Sequence, residues 1–120
     1  MAAPLSKLAT IQWNYHLRVY YQNKDNEIIE LCHDGSGWTT GATMPLLSGK
    51  QPSEGTAIAS IGWNDNSIRN YVQGEDNYIW EYVHESGWSS HQLLQYAKPY
   101  TPLAAVTWSD NKVSFFSEEF

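Results

Sequence analysis

The sequence predicts an all-β protein built from propeller blades, each a sheet of four short antiparallel strands. Three observations carry this expectation. A segment of the chain recurs at a spacing of 45–51 residues, the length that a four-stranded blade requires. Within each copy, runs rich in β-branched and aromatic residues alternate with turn-forming residues. No window shows a sustained 3.6-residue apolar period, so almost no helix is expected.

The repeat is read most directly from tryptophan. "ATIQW", "ASIGW" and "AAVTW" end at Trp13, Trp63 and Trp108, spaced by 50 and 45 residues. Arg18 and Arg69 are 51 apart, as are Glu30 and Glu81, and His33 and His84. The first unit then divides into strands at about 8–13, 17–22, 27–33 and 38–43, with "NKDN" and "DGSG" turning the later hairpins. The second divides at about 57–63, 68–73, 78–84 and 88–93, around "GEDN" and "ES". Stretches 44–56 and 94–103, rich in Pro, Gly and Ser, read as blade connections. A half-blade at about 104–118 supplies two strands, in which Phe115 and Phe116 read as core or interface. The expected organisation is one domain over 1–120, with blades at about 8–43 and 57–93. Two and a half blades cannot close a ring, and open blades leave strand edges and apolar faces in water. Self-association is therefore expected, as a trimer of paired blades or as a dimer sharing strands.

Composition narrows the functional classes. The 120 residues suit one modest core, with 42% hydrophobic and 17% charged residues. Six Trp and eight Tyr are many for this length, and such side chains suit strands and half-wet binding surfaces. A formal charge of −6 with seven scattered basic residues argues against nucleic-acid and anionic-membrane partners. No apolar run reaches the ~20 residues of a membrane span. "MAAPLSKLAT" lacks the apolar core of a signal peptide, so a cytoplasmic place or an unconventional export route is expected. The single cysteine, Cys32, permits no intrachain disulfide and reads as a small strand residue. The four His have no close zinc spacing, and no cofactor motif occurs, so neither metal nor cofactor is expected. Nor is there a Ser-His-Asp signature, and the protein is not expected to be an enzyme.

The second and third strands of each unit carry the chemistry. The midpoints between Arg18 and Glu30 and between Arg69 and Glu81 fall at 24 and 75. Hairpin loops centred there place each Arg directly opposite its Glu on one sheet face. The plain reading is a cross-strand ion pair worth about 0.2–1 kcal/mol. The repeated Gly-Trp beside it supports a second reading. A guanidinium, a carboxylate and an indole together match a sugar, gripping its hydroxyls and covering its C–H face.

"LRVYYQ" with "EIIELCHDGSGWTTGA", and "IRNYVQ" with "YIWEYVHESGWSS", resemble the fucose-binding six-bladed propeller lectins of fungi, over about residues 8–118. That resemblance implies sugar sites between adjacent blades, with L-fucose or fucosylated glycans as ligands. One site would use Arg18 and Glu30 with His84 and Trp88 from the second blade, and Ala42 at its lining. The other would use Arg69 and Glu81, with His33 and Trp38 from whichever blade abuts, and Gln92 in place of Ala42. His33 and His84 stand where relatives often place an aromatic residue, and His91 occupies the position of Gly41. Ser114 falls at the Arg position of the half-blade, which is assigned no site. A structural or protein-interaction propeller without sugar binding is the alternative.

Overall fold

The computed structural model describes residues 6–109 and 112–117, with side chains to residue 106. Strands β1 (Leu8–Trp13), β2 (His16–Gln22), β3 (Ile28–His33) and β4 (Trp38–Thr43) form one antiparallel sheet in chain order. β5 (Ala59–Asn64), β6 (Ser67–Gln73), β7 (Tyr78–His84) and β8 (Trp88–Tyr96) form a second. β9 (Leu103–Ser109) pairs with β10 (Lys112–Ser117). No helix occurs among the described residues. The expectation for Phe115 and Phe116 concerns side chains outside the described ones.

The sheets stand side by side as blades, β1 beside β5 and β5 beside β9. Period-two alternation puts Tyr20 and Ile28 of the first sheet against Ile68, Val72, Trp80 and Tyr82 of the second. The other face of the second sheet packs Ile61, Tyr71 and Ile79 against Leu103 and Ala105 of β9. Each four-stranded sheet alone is too small to bury its faces, so blade-on-blade packing forms the core.

Two devices recur at each β2–β3-type hairpin. The loops reverse through Asn26 and Asn77, both at φ 66, a left-handed conformation that Asn tolerates. The amides Asn23 N and Gly74 N each donate at 2.9 Å, to Glu27 O and Tyr78 O respectively. A buried glutamine at the strand end then ties the loop to the blade connector. Gln22 Nε2 donates to Asn26 O and Ser53 O, and Gly55 N donates to Gln22 Oε1. Gln73 Nε2 does the same with Asn77 O, Ala97 O and Lys98 O. Buried amides bonded in this way hold one blade at a set angle to the next connector.

β8 runs three residues beyond the expected end at 93, to Tyr96. A bulge opposite Ile79 lets Tyr96 regain pairing with Tyr78, and the two rings meet edge to face at 5.1 Å.

Candidate functional site

The hairpin register differs from the expected one by two residues. Gln22 pairs with Ile28 around a five-residue loop, so Arg18 faces Cys32 and Tyr20 faces Glu30. In the second sheet Arg69 faces Val83 and Tyr71 faces Glu81. The loop centre lies one residue beyond the midpoint of each Arg and Glu because the Asn turn needs its full five residues. A shift of two preserves the face, so Arg and Glu remain diagonal neighbours on one side of the sheet.

In the first cleft the Glu30 carboxylate is held at both oxygens. Tyr20 OH donates to Oε2 at 2.8 Å, and the Ala42 amide donates to Oε1 at 3.1 Å. Arg18 Nε stands 3.9 Å from Oε2, and Nη1 donates to Asp34 Oδ1 at 2.8 Å and to the Leu17 carbonyl at 2.9 Å. The guanidinium also lies 4.8 Å from the Trp13 ring centre. Arg18 and Glu30 are 6% and 7% exposed, so their mutual field is little screened by water. Among the described residues, Nε and Nη2 of Arg18 have no hydrogen-bond acceptor. That edge of the fork, beside a pinned carboxylate, suits a ligand hydroxyl that both accepts and donates.

The second blade supplies the opposite wall. The Trp88 ring meets Tyr20 edge-on at 6.2 Å and His84 at 4.9 Å. Asp65, in the β5–β6 turn, brings Oδ1 to 3.7 Å from Arg18 Nη2, and its carbonyl contacts His84 Nδ1. Four expected residues therefore gather with Ala42 in one cleft: Arg18, Glu30, His84 and Trp88.

Electrostatics follow from this packing. Burial works against the Arg18 charge, yet the Asp34 hydrogen bond and the neighbouring acidic groups outweigh it and raise its pKa. Asp34 is held below the ordinary carboxylate value by its hydrogen bond to His16, then by that to Arg18. Burial, reinforced by the Glu30 charge, pushes the Tyr20 hydroxyl far up and the Cys32 thiol up to about 11. Tyr20 consequently acts as a hydrogen-bond donor to Glu30 throughout the working pH range.

The second cleft is built differently. Tyr71 OH donates to Glu81 Oε2 at 2.7 Å, but Arg69 pairs with Glu85, and no Arg69–Glu81 ion pair occurs among the described residues. Gln92 is not at its rim, contrary to expectation. It pairs with Trp80 across the sheet and donates to Asp76 Oδ2 at 2.9 Å, on the face away from Glu81. The reason is that His91 alone opposes Glu81, whereas a bulge sets both Gly41 and Ala42 opposite Glu30. His33 and Trp38 meet edge-on at 5.1 Å on the outward face of the first sheet, with Trp38 54% exposed. Within this chain they stand apart from Arg69 and Glu81. A cavity of about 560 Å³ lies elsewhere, bounded by Trp80, Gln92, Lys50 and the β6–β7 turn.

Tyr20, Tyr71, Asp34 and Glu85 were missed from sequence, although the signal was present. Each Tyr follows its Arg by two residues, and each acid follows its Glu by four. Trp13 lies on the recurring Trp13, Trp63, Trp108 positions, but only the structure shows that it and Asp65 come to Arg18.

Residues 1–116 match the family model described as fungal fucose-specific lectin. A fucose-specific lectin of Arthrobotrys oligospora is 33% identical over 92% of this chain and 33% of its own length. A variant of the Aleuria aurantia lectin, solved with alpha-methyl-L-fucoside, superposes with a TM-score of 0.83 at 26% identity. It covers 98% of this chain and 39% of that one. Another structure of the Aleuria aurantia lectin, described as a six-bladed β-propeller, gives a TM-score of 0.76 at 24% identity, over 95% of this chain and 40% of that one. The chain spans about a third of the length of the curated relatives it matches.

Proposed function

Because this chain belongs to the fungal fucose-specific lectin family, we propose that it binds L-fucose and fucosylated glycans in the clefts between blades. The observation that carries this is the first cleft. A buried Arg18, whose Nε and Nη2 have no hydrogen-bond acceptor among the described residues, stands beside a doubly held Glu30, and an indole from the next blade faces them. Arg18 would donate to ring or hydroxyl oxygens, and Glu30 would accept from adjacent hydroxyls. Trp88 and His84 would cover the apolar side of the ring and its methyl group. The second site would use Arg69, Glu81 and Tyr71, with Trp38 and His33 brought by an abutting blade.

Binding without turnover fits this geometry. Glu30 and Glu81 lie on different inter-blade faces, so they cannot flank one glycosidic bond as a hydrolytic pair requires. Charge-assisted hydrogen bonds contribute about 1.5–3 kcal/mol each, and after binding costs a monosaccharide falls on the order of micromolar to millimolar. Several such clefts on one ring then raise avidity for multivalent glycans. Other copies of the chain would complete the ring, as a trimer or as a dimer. The outward Trp38 and the 93% exposed Leu94 support this, since such side chains gain by burial.

Calorimetry with methyl α-L-fucoside tests the proposal. Arg18→Ala and Arg69→Ala are each expected to remove sites without changing the oligomer measured by sedimentation. Full-stoichiometry binding by the double variant would refute the assignment. Failure of the wild-type protein to bind any sugar on a glycan array would favour a protein-interaction propeller.

A further inference from the structure

The two clefts share Arg, Tyr and Glu but not the strand that closes them. In the first, Ile29 pairs with Thr43 and Leu31 with Thr40, so Gly41 and Ala42 together oppose Glu30. This bulge turns the Ala42 amide onto Glu30 Oε1. A β-carbon at position 41 would lie 2.4 Å from that oxygen and 2.7 Å from Cys32 Sγ, so the arrangement requires glycine.

In the second cleft the irregularity sits elsewhere. Trp80 pairs with Gln92 and Glu81 with His91, and the bulge moves out to the stretch between Tyr78 and Trp80. The residue in place of Gly41 is His91, and its Nε2 lies 2.9 Å from Ser89 Oγ on the Glu81 face. Among the described residues, Glu81 receives the Tyr71 hydroxyl and no backbone amide. Arg69 pairs with Glu85, and no Arg69–Glu81 ion pair occurs among the described residues. Among the described residues, one carboxylate is held at both oxygens and the other at one.

Building on the fucoside reading, we infer that His91 makes the second cleft a distinct, weaker site for the same class of sugar. It acts in two ways. The direct His91–Glu81 pairing replaces the bulge that would hand Glu81 a backbone donor. His91 also adds a side chain on the Glu81 face, where the first cleft has only the hydrogen of Gly41. The loss of one pinning hydrogen bond to a charged group sets the scale. The second cleft binds methyl α-L-fucoside at least about tenfold more weakly than the first, equivalent to about 1.4 kcal/mol.

The test isolates each cleft in the full chain. Arg18→Ala leaves the second cleft alone, and Arg69→Ala leaves the first alone. Each is titrated by calorimetry with methyl α-L-fucoside, with and without His91→Gly. The expected result is a tighter first cleft, and a gain of about threefold or more when His91→Gly is added to the Arg18→Ala background. The same change leaves the Arg69→Ala background unmoved. His91→Ala, which keeps better strand-forming character, should move affinity in the same direction if glycine unsettles β8. Equal affinities in the two clefts, or a second cleft indifferent to both His91 variants, overturn the inference. Absence of binding in the wild-type protein itself refutes the fucoside reading, and this inference falls with it.

Discussion

Substituting Gly41 with alanine adds one methyl group, and the structure specifies where it collides. The new β-carbon would stand 2.4 Å from Glu30 Oε1. Ordinary contact begins near 3.4 Å, so the oxygen must retreat by about 1 Å. Glu30 is 7% exposed and gripped at both oxygens, so the displacement stretches the 3.1 Å bond from Ala42 and the 2.8 Å bond from Tyr20 together. Overpacking costs about 1–3 kcal/mol, and loss of a hydrogen bond to a charged group costs about 1.5–3 kcal/mol. Partial relief by movement of the side chain brings the expected destabilisation to about 2 kcal/mol. The melting temperature should fall by roughly 8 °C, at about 4 °C per kcal/mol, measured at one protein concentration because assembly also stabilises. Affinity of the first cleft for methyl α-L-fucoside should drop by about tenfold or more, since the carboxylate no longer faces the ligand in its fixed pose. A Gly41→Ala protein that melts within about 2 °C of wild type and binds within about twofold would show that Glu30 is not held as described.

Three further outcomes follow from the same cleft. Tyr20→Phe leaves Glu30 Oε2 without its buried donor. It should cost about 1–3 kcal/mol in urea unfolding and weaken the first cleft, whereas an unchanged midpoint would argue that water replaces the hydroxyl. Asp34 has its folded pKa below the ordinary 3.8, through His16 and then Arg18. Its contribution is therefore fully present above that value and lost as pH falls through the lower folded pKa. Melting curves of wild type and Asp34→Asn should differ near neutrality and converge in acid, and a gap that widens in acid would reverse the sign. Cys32, raised from 9.0 to about 11 by burial and then by Glu30, holds about a hundredfold less thiolate at pH 8 than an ordinary cysteine. Alkylation should be slow in the folded protein and speed up in denaturant, and equal rates in both would remove the burial argument.

Much of this was readable before any coordinates. Strand identity followed from Val, Ile, Tyr and Trp runs, and most boundaries fell within one or two residues because turn residues such as Asn26 and Gly87 end strands for steric reasons. The side of the sheet taken by Arg18 and Glu30 was also readable, because alternation is a local property. Their partners were harder. Whether Arg18 opposes Glu30 or Cys32 depends on how many residues the loop consumes, and both answers keep the same face. Tyr20 as the donor to Glu30 was hidden behind its reading as an ordinary strand aromatic.

The chain's repeat, read alone, determined that four-stranded units recur, that Arg, Glu and Gly-Trp recur with them, and which face carries the charged pair. Those properties are set by period-two geometry and turn sterics, which act over a few residues. Only the tertiary structure decided that Asp65 of the second blade comes to Arg18, and that the Trp88 ring, placed in this cleft by the family resemblance, meets Tyr20 edge-on. It alone showed that a bulge pins Glu30 while His91 meets Glu81 directly, and that Gln92 turns away. Blade-to-blade packing and the placing of an extra residue in an edge strand depend on the sum of distant contacts, and no local pattern encodes that sum.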